Sequence, residues 1–339
     1  MRRLRYTIAT LALVLLNVPP ALADTLAEVK QRGAVRCGVN DDLPGFARKT
    51  AAGDWAGLDV DMCRAVAAAV FGDAEKVQFI PLNATQRFEA LKAGKIDLLA
   101  RNSTWTLSRD LGQGMDFVGT NYYDGQGFLA ASAGGIHSAL ELGGSDVCVQ
   151  AGTTSLQNVK AYFTRHRMKL RLHVFDSTAA ALVAYRAGQC NVLTSDQSQL
   201  YALRSELPDP DAHVVLPEFI SKEPLGPVVR EGDSPWADIV QWTLFAMVNA
   251  EELEISSANV DRIAEQASDP ALRRFLGKDG NHGADLGISS SWAYNVIKQV
   301  GNYAESFDRN VGPGSALKIR RGQNALWRDG GLMFVPPIL

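Results

Sequence analysis

The sequence predicts an α/β fold in two lobes, each an open, mostly parallel sheet flanked by helices, with two hinge strands joining them. Three observations point there. The chain has 339 residues, more than one domain usually holds. A helix-glycine-strand segment occurs twice, at 92–102 and again at 186–196. Two extended segments, 119–128 and 225–230, read as crossings into and out of the second copy.

At the N-terminus, Arg2, Arg3 and Arg5 precede an uncharged apolar run from Tyr6 to Leu16, and Ala21-Leu22-Ala23 follows. This order reads as a secretory signal at 1–23, cleaved after Ala23. The run is well short of the ~20 apolar residues that span a bilayer. Its removal leaves 316 residues and, with three arginines gone, moves the formal charge from −3 to −6. A mildly acidic mature chain argues against nucleic acid or an anionic membrane surface as partner.

The repeat sets Lys92-Ala93-Gly94-Lys95-Ile96-Asp97-Leu98-Leu99-Ala100-Arg101-Asn102 against Arg186-Ala187-Gly188-Gln189-Cys190-Asn191-Val192-Leu193-Thr194-Ser195-Asp196. Phe88 and Leu91 precede the first copy, Leu182 and Tyr185 the second, each pair at helical spacing. The glycine ends the helix in a left-handed cap, and the short apolar run after it reads as a buried parallel strand. Upstream, Val35-Arg36-Cys37-Gly38-Val39 corresponds to Asp146-Val147-Cys148-Val149-Gln150, each opening its half. Strands alternating with helices imply right-handed crossovers and a ligand site outside the strands' carboxyl ends. In the repeat those ends are Asn102 and Asp196, facing each other across a cleft.

Gly119 to Phe128 enters the second lobe, and Leu225 to Arg230 returns after Lys222-Glu223-Pro224, which reads as a turn. The first lobe is therefore expected at 24–125 and 225–339, discontinuous around a second lobe at 126–224. After Pro235, Trp236, Val240, Leu244 and Val248 share one helix face. The tail beyond about Asp269, with helical patterning from Trp292 to Phe307, is expected to pack against a lobe.

Asn102-Ser103-Thr104-Trp105-Thr106-Leu107-Ser108-Arg109 follows a buried strand with an amide, hydroxyls, an indole and a guanidinium. Such a loop can hold one anion, and arginine's planar fork fits a carboxylate bidentately. Taken alone, an N-cap followed by a solvated arginine explains the same residues.

With Phe88 to Arg109 and Gly57-Leu58-Asp59-Val60-Asp61, the chain resembles the polar-amino-acid solute-binding proteins of ABC importers, the bacterial extracellular solute-binding proteins of family 3. The resemblance runs from about Ala34 to the mid-240s. Tyr122-Tyr123-Asp124-Gly125-Gln126-Gly127 and Gly312 to Pro337 narrow it to general L-amino-acid binders. It implies the two-lobed periplasmic-binding-protein fold, a periplasmic location, free L-amino acids as ligands over a broad range, and a membrane permease as partner. It implies that Arg109 and Thr104 grip the ligand α-carboxylate, completed by Thr153 and Thr154, while Asp196 and Asn102 hold the α-ammonium. Asn40 and Trp105 are further candidates for ligand contact. Leu43 stands where many relatives carry an aromatic residue.

No cofactor and no metal are expected, since the five histidines show no pair at metal-ligand spacing and 279–283 lacks the pattern of a calcium loop. A monomeric binder rather than an enzyme is expected. The alternative is a cyclohexadienyl dehydratase-like enzyme on the same fold, with Asp196 or Glu223 as its acid. Four cysteines in an exported chain suggest two disulfides with three possible connectivities. The pairing Cys37–Cys63 and Cys148–Cys190 is favoured, because each link then stays within a lobe and leaves the hinge free.

Overall fold

A computed structural model describes residues 24–338, so the expected signal segment 1–23 lies outside the described residues. Two five-stranded sheets organise the chain. The first has the order Val77–Leu82, Val35–Asn40, Leu98–Leu99, Val228–Arg230, Met115–Phe117. The second has the order Arg171–Phe175, Asp146–Gln150, Val192–Asp196, Gln126–Ala131, His213–Val215. In each, the first three strands are parallel, and the fourth runs antiparallel to both neighbours. The two repeat copies supply the same central strand, Leu98–Leu99 in one sheet and Val192–Asp196 in the other.

The helices before those strands, Arg87–Lys92 and Thr178–Arg186, both run into a left-handed glycine, Gly94 at φ 64° and Gly188 at φ 72°. Two hinge strands join the lobes: Tyr122–Asp124 pairs antiparallel with Glu223–Leu225, with Glu223 opposite Asp124. Lys222-Glu223-Pro224 is thus not a turn, because Glu223 and Pro224 open a strand. A proline can sit there because the ribbon is only two strands wide and its missing N–H breaks no inner ladder.

Helix Leu58–Phe71 is alanine-rich and buried along most of its length, packed between the first sheet and the helices Ser234–Glu252 and Trp292–Gln299. Helix Ser234–Glu252 starts with Pro235 in its first turn and Asp233 accepting from the Trp236 amide at 3.2 Å. Trp236, Val240, Leu244 and Val248 are all buried, as their spacing requires. The tail packs on the first lobe, with Trp292, Val296, Tyr303, Phe307 and Met333 sharing a core cluster with Leu58, Tyr122 and Met247. The 292–307 pattern is two helices, Trp292–Gln299 and Tyr303–Asn310. Gly301 at φ 93° ends the first, and a reciprocal Asn302–Glu305 capping box starts the second.

The tail also holds the hinge. Asn324 accepts from the Tyr123 amide at 2.6 Å and donates to its carbonyl at 3.0 Å, and the Tyr303 hydroxyl donates to the Asn121 carbonyl at 2.8 Å. Both disulfides are within lobes, Cys37–Cys63 and Cys148–Cys190. The first ties a strand to the helix covering it, and the second joins a strand to the segment leading into its neighbour.

Candidate functional site

The central strands lead to a small, polar-lined cavity between the lobes. Its first-lobe wall is Arg87, Arg101, Asn102 and Thr104; its second-lobe wall is Gln150, Thr153, Thr154, Ser155, Ser195, Asp196 and Gln199. Five of the six residues expected to bind ligand therefore meet there. Arg109, Asn40 and Trp105 are not among the lining residues.

On the first-lobe side, Asn102 adopts φ 31°, a left-handed region that asparagine tolerates better than most residues. Its amide donates to Asp59 at 2.8 Å, and its side-chain oxygen accepts from Asn40 at 3.0 Å. Asn40 thus orients Asn102 from behind the wall. The next residues are sewn to the returning hinge strand: Gly226 donates to the Ser103 carbonyl at 3.0 Å and Trp105 to the Pro224 carbonyl at 2.8 Å. The Trp105 ring stacks on Phe117 at 5.8 Å and stays partly exposed.

Thr106 caps helix Leu107–Gln113, yet Arg109 in that first turn is buried rather than solvated. Its Nη1 donates to the Thr104 carbonyl at 2.9 Å, and its guanidinium lies 5.1 Å from the Phe88 ring centre. Burial lowers its pKa, with Glu223 and Asp196 opposing the shift.

On the second-lobe side, Asp196 sits at the N-cap of helix Gln197–Ser205 but makes no capping bond. Its carboxylate is buried, and burial together with Asp124 and Glu223 pushes its pKa well above the usual range, against Arg87 and Arg109. The other buried carboxylates of the region are held by neutral donors. Asp124 accepts from Gly125 at 2.8 Å and from Ser198, and its pKa is pushed up to about 6, mainly by burial. Glu223 accepts from Thr154 at 2.9 Å, Asn158 at 2.7 Å and Ser221 at 2.5 Å.

The threonine hydroxyls are committed within the protein. Thr154 donates to Glu223, and Thr153 donates to the Gln150 carbonyl at 2.8 Å. What helix Thr154–Arg165 offers an anion is its first amides, which no side chain caps.

The sequence reading missed Arg87 and Arg101. Both are buried, yet neither, nor Arg109, joins an ion pair among the described residues. Arg101 lies within the repeat itself, where a guanidinium closing a buried strand was the available signal. Across the cleft, Thr104 and Thr154 hydroxyls stand 3.5 Å apart, and Arg48 pairs with Glu206 at 2.6 Å. Gly152, at φ 72°, lies where a Cβ would come within 2.9 Å of Thr85 in the first lobe. The lobes are closed on one another.

Comparison with known proteins agrees with this geometry. Residues 35–258 match the family described as "Bacterial extracellular solute-binding proteins, family 3". The chain is 55% identical over 314 residues to "Putative amino-acid ABC transporter-binding protein YhdW" of Escherichia coli (strain K12), covering 93% of this chain and 92% of that protein. It is 51% identical over 329 residues to "General L-amino acid-binding periplasmic protein AapJ" of Rhizobium johnstonii, covering 96% of each. A solved ABC transporter periplasmic binding protein from Brucella ovis with glutathione bound superposes with a TM-score of 0.92 at 51% identity, over 94% of this chain and 100% of that one.

Proposed function

The chain belongs to the bacterial extracellular solute-binding proteins of family 3, and on that premise we propose that it captures free L-amino acids between its lobes and delivers them to the membrane permease of an ABC transporter. The proposal places it in the periplasm as a monomer after removal of 1–23, acting by binding rather than catalysis. Its lobes are taken as 24–125 with 225–339, and 126–224.

The observation that carries this reading is the arrangement of charge on the cavity wall. Asp196, a buried carboxylate without a capping bond, faces guanidiniums across the cleft, and the free amides of helix Thr154–Arg165 open onto the same cavity from its own lobe. A zwitterion fits such a wall. Its α-ammonium goes to Asp196 and Asn102. Its α-carboxylate goes to Arg109, to Thr104 and to the backbone at Thr153 and Thr154. Neither lobe alone satisfies both ends, and an unpaired buried charge is costly, so the ligand favours the closed state by its differential affinity for it. A few charge-assisted hydrogen bonds at about 1.5–3 kcal/mol each suffice for micromolar binding.

The names of two relatives, one a putative amino-acid ABC transporter-binding protein and one a general L-amino acid-binding protein, support the ligand class and a broad range. A thermal-shift screen against the twenty L-amino acids tests it. Several are expected to raise the melting temperature, since binding to the native state stabilises it. A flat response to all twenty would refute the amino-acid reading, and a response to one alone would refute breadth.

A further inference from the structure

Resting on the amino-acid reading, we propose that Asp59 is a positioning residue for ligand binding: its carboxylate holds Asn102 in its left-handed conformation at the cavity wall and ties that loop to the entry of the hinge.

Helix Leu58–Phe71 is built to aim this side chain. Gly57 precedes it at φ 139°, and a Cβ there would come within 2.0 Å of the Phe46 carbonyl oxygen, so glycine is what lets the two segments approach. The Leu58 amide then donates to the Gly45 carbonyl at 2.9 Å, and the Asp59 amide to that of Phe46 at 3.0 Å. With the backbone pinned, the two carboxylates of the first turn take different tasks. Asp61 serves the tail, accepting from Ser306 and Asn310 at 2.6 Å each and from Arg309 at 3.0 Å. Asp59, only 2% exposed, serves the site.

Its Oδ2 accepts from the Asn102 amide at 2.8 Å, and its Oδ1 lies 3.5 Å from Nδ2 of Asn121. At φ 31°, Asn102 occupies a region that residues other than glycine populate sparsely unless their surroundings hold them there. A carboxylate holds an N–H more strongly than a neutral acceptor does. Asn121 immediately precedes hinge strand Tyr122–Asp124. Its amide donates to the Leu225 carbonyl of the opposite hinge strand at 2.9 Å, and its carbonyl accepts from Tyr303 of the tail. One buried carboxylate thus joins the ligand loop to the hinge and, through Asn121, to the tail. Its charge also stands one hydrogen bond behind the residue assigned to the ligand ammonium, where it favours a cation.

The ionised form is the one that positions. Burial pushes the Asp59 pKa up to about 6, against the bonds from Asn102 and Asn121 and the charges of Arg101 and Arg87. Arg101 acts from the loop after Leu98–Leu99 and Arg87 from helix Arg87–Lys92, while the hinge strand presents the neutral Asn121. As pH falls through about 6, the carboxylate takes up a proton, the Asn102 bond loses its charge, and binding weakens. By linkage, bound ligand keeps the proton off and lowers that pKa.

The test is calorimetric titration of the full-length mature protein and of Asp59→Asn with L-glutamine and L-alanine. The ratio of wild-type to variant affinity removes the titration of ligand and of groups common to both proteins. It is expected to be at least roughly tenfold at about pH 7.5 and to shrink to roughly threefold or less at about pH 5. A ratio of one throughout would overturn the role. So would a loss that is the same at both pH values, since a merely structural residue would give that. The wild-type protein decides the matter even if the variant does not fold. Followed by NMR, the Asn102 amide proton should titrate with a midpoint at about 6 without ligand and at a lower pH when saturated with L-glutamine. A midpoint that ligand leaves unmoved would overturn the proposal. Binding of neither amino acid to the wild type would defeat the amino-acid reading beneath it, a result distinct from binding without the pH-dependent ratio.

Discussion

The two lobes share one strand order and direction but are supported and charged in opposite ways. The first carries the tail, whose helices bury Trp292, Tyr303 and Phe307 against it. The second has no such cover; its cores are two small clusters on the faces of one sheet. At the site, equivalent strand ends present Arg101 and Asn102 in the first lobe, and Ser195 and Asp196 in the second. A repeated scaffold has thus become bipolar, cationic on one wall and acidic on the other. The lesson is that the scaffold repeat sets where ligand groups stand, while single residues at the strand ends set what they hold.

The largest expected effect tests the support difference. Closing loops of 26 and 42 residues stabilises each lobe by about 3–4 kcal/mol in the chain-entropy account. Cys148→Ser with Cys190→Ser should cost slightly more than Cys37→Ser with Cys63→Ser, because its loop is longer and its lobe has less packing in reserve. Denaturant unfolding of the two double variants measures this. A smaller loss in the second lobe would break the contrast. Amino-acid binding should survive both, since no cysteine lines the cavity.

Next in size is the polarity of the site. Arg109→Ala and Asp196→Ala are each expected to weaken amino-acid binding by more than ~2 kcal/mol, because each leaves one end of a buried zwitterion unpaired. Asp196 adds a pH signature. Burial, Asp124 and Glu223 raise its pKa, while Arg87 and Arg109 act against them. A ligand ammonium favours the ionised form. Binding should therefore release protons and tighten as pH rises through that pKa. Titration in buffers of different ionisation enthalpy reads the release, and Asp196→Asn should abolish the contribution of this group. Wild-type affinity in either alanine variant would remove the proposed clamp.

Much of the fold was legible because it rests on local signals. Gly94 and Gly188 mark the helix ends, and the paired strands 98–99 and 192–196 follow from short apolar runs. The intra-lobe cysteine pairs follow from placing each cysteine on a strand or a covering helix. The candidate site was legible where a residue ends or closely follows a strand: Asp196 ends Val192–Asp196, and Asn102 lies three residues past Leu98–Leu99. Arg87 and Arg101 were not, because an arginine on an amphipathic helix or after a strand ordinarily reaches water, and only tertiary packing buries it. The commitment of the Thr154 hydroxyl was hidden for the same reason: Glu223 reaches it from 69 residues away.

The smallest expected effect lies at the rim, where the lobes meet without ligand. Arg48 reaches Glu206 at 2.6 Å from the first lobe to the second and also pairs with Asp42 at 2.6 Å. Among the described residues it is the one ion pair that joins the lobes. Both of its side chains are about one-third exposed, at 35% and 34%, so water and salt screen it. Asp42 remains as an alternative partner when the lobes part, which reduces what closure gains. The coupling should therefore be at most about 1 kcal/mol, the range of exposed pairs. Beneath it, Ala202 of the second lobe packs into the cluster of Leu43 and Phe46, an apolar contact that salt does not weaken. Glu206→Ala should accordingly speed ligand release only a few-fold at low ionic strength and have almost no effect at high salt. A double-mutant cycle between Arg48→Ala and Glu206→Ala, read on ligand off-rates, isolates the pair. Zero coupling at low salt would mean that closure rests on the ligand and on uncharged contacts such as that of Ala202; a coupling well above 1 kcal/mol that persists in salt would mean that the rim latches the lobes independently of their charged walls.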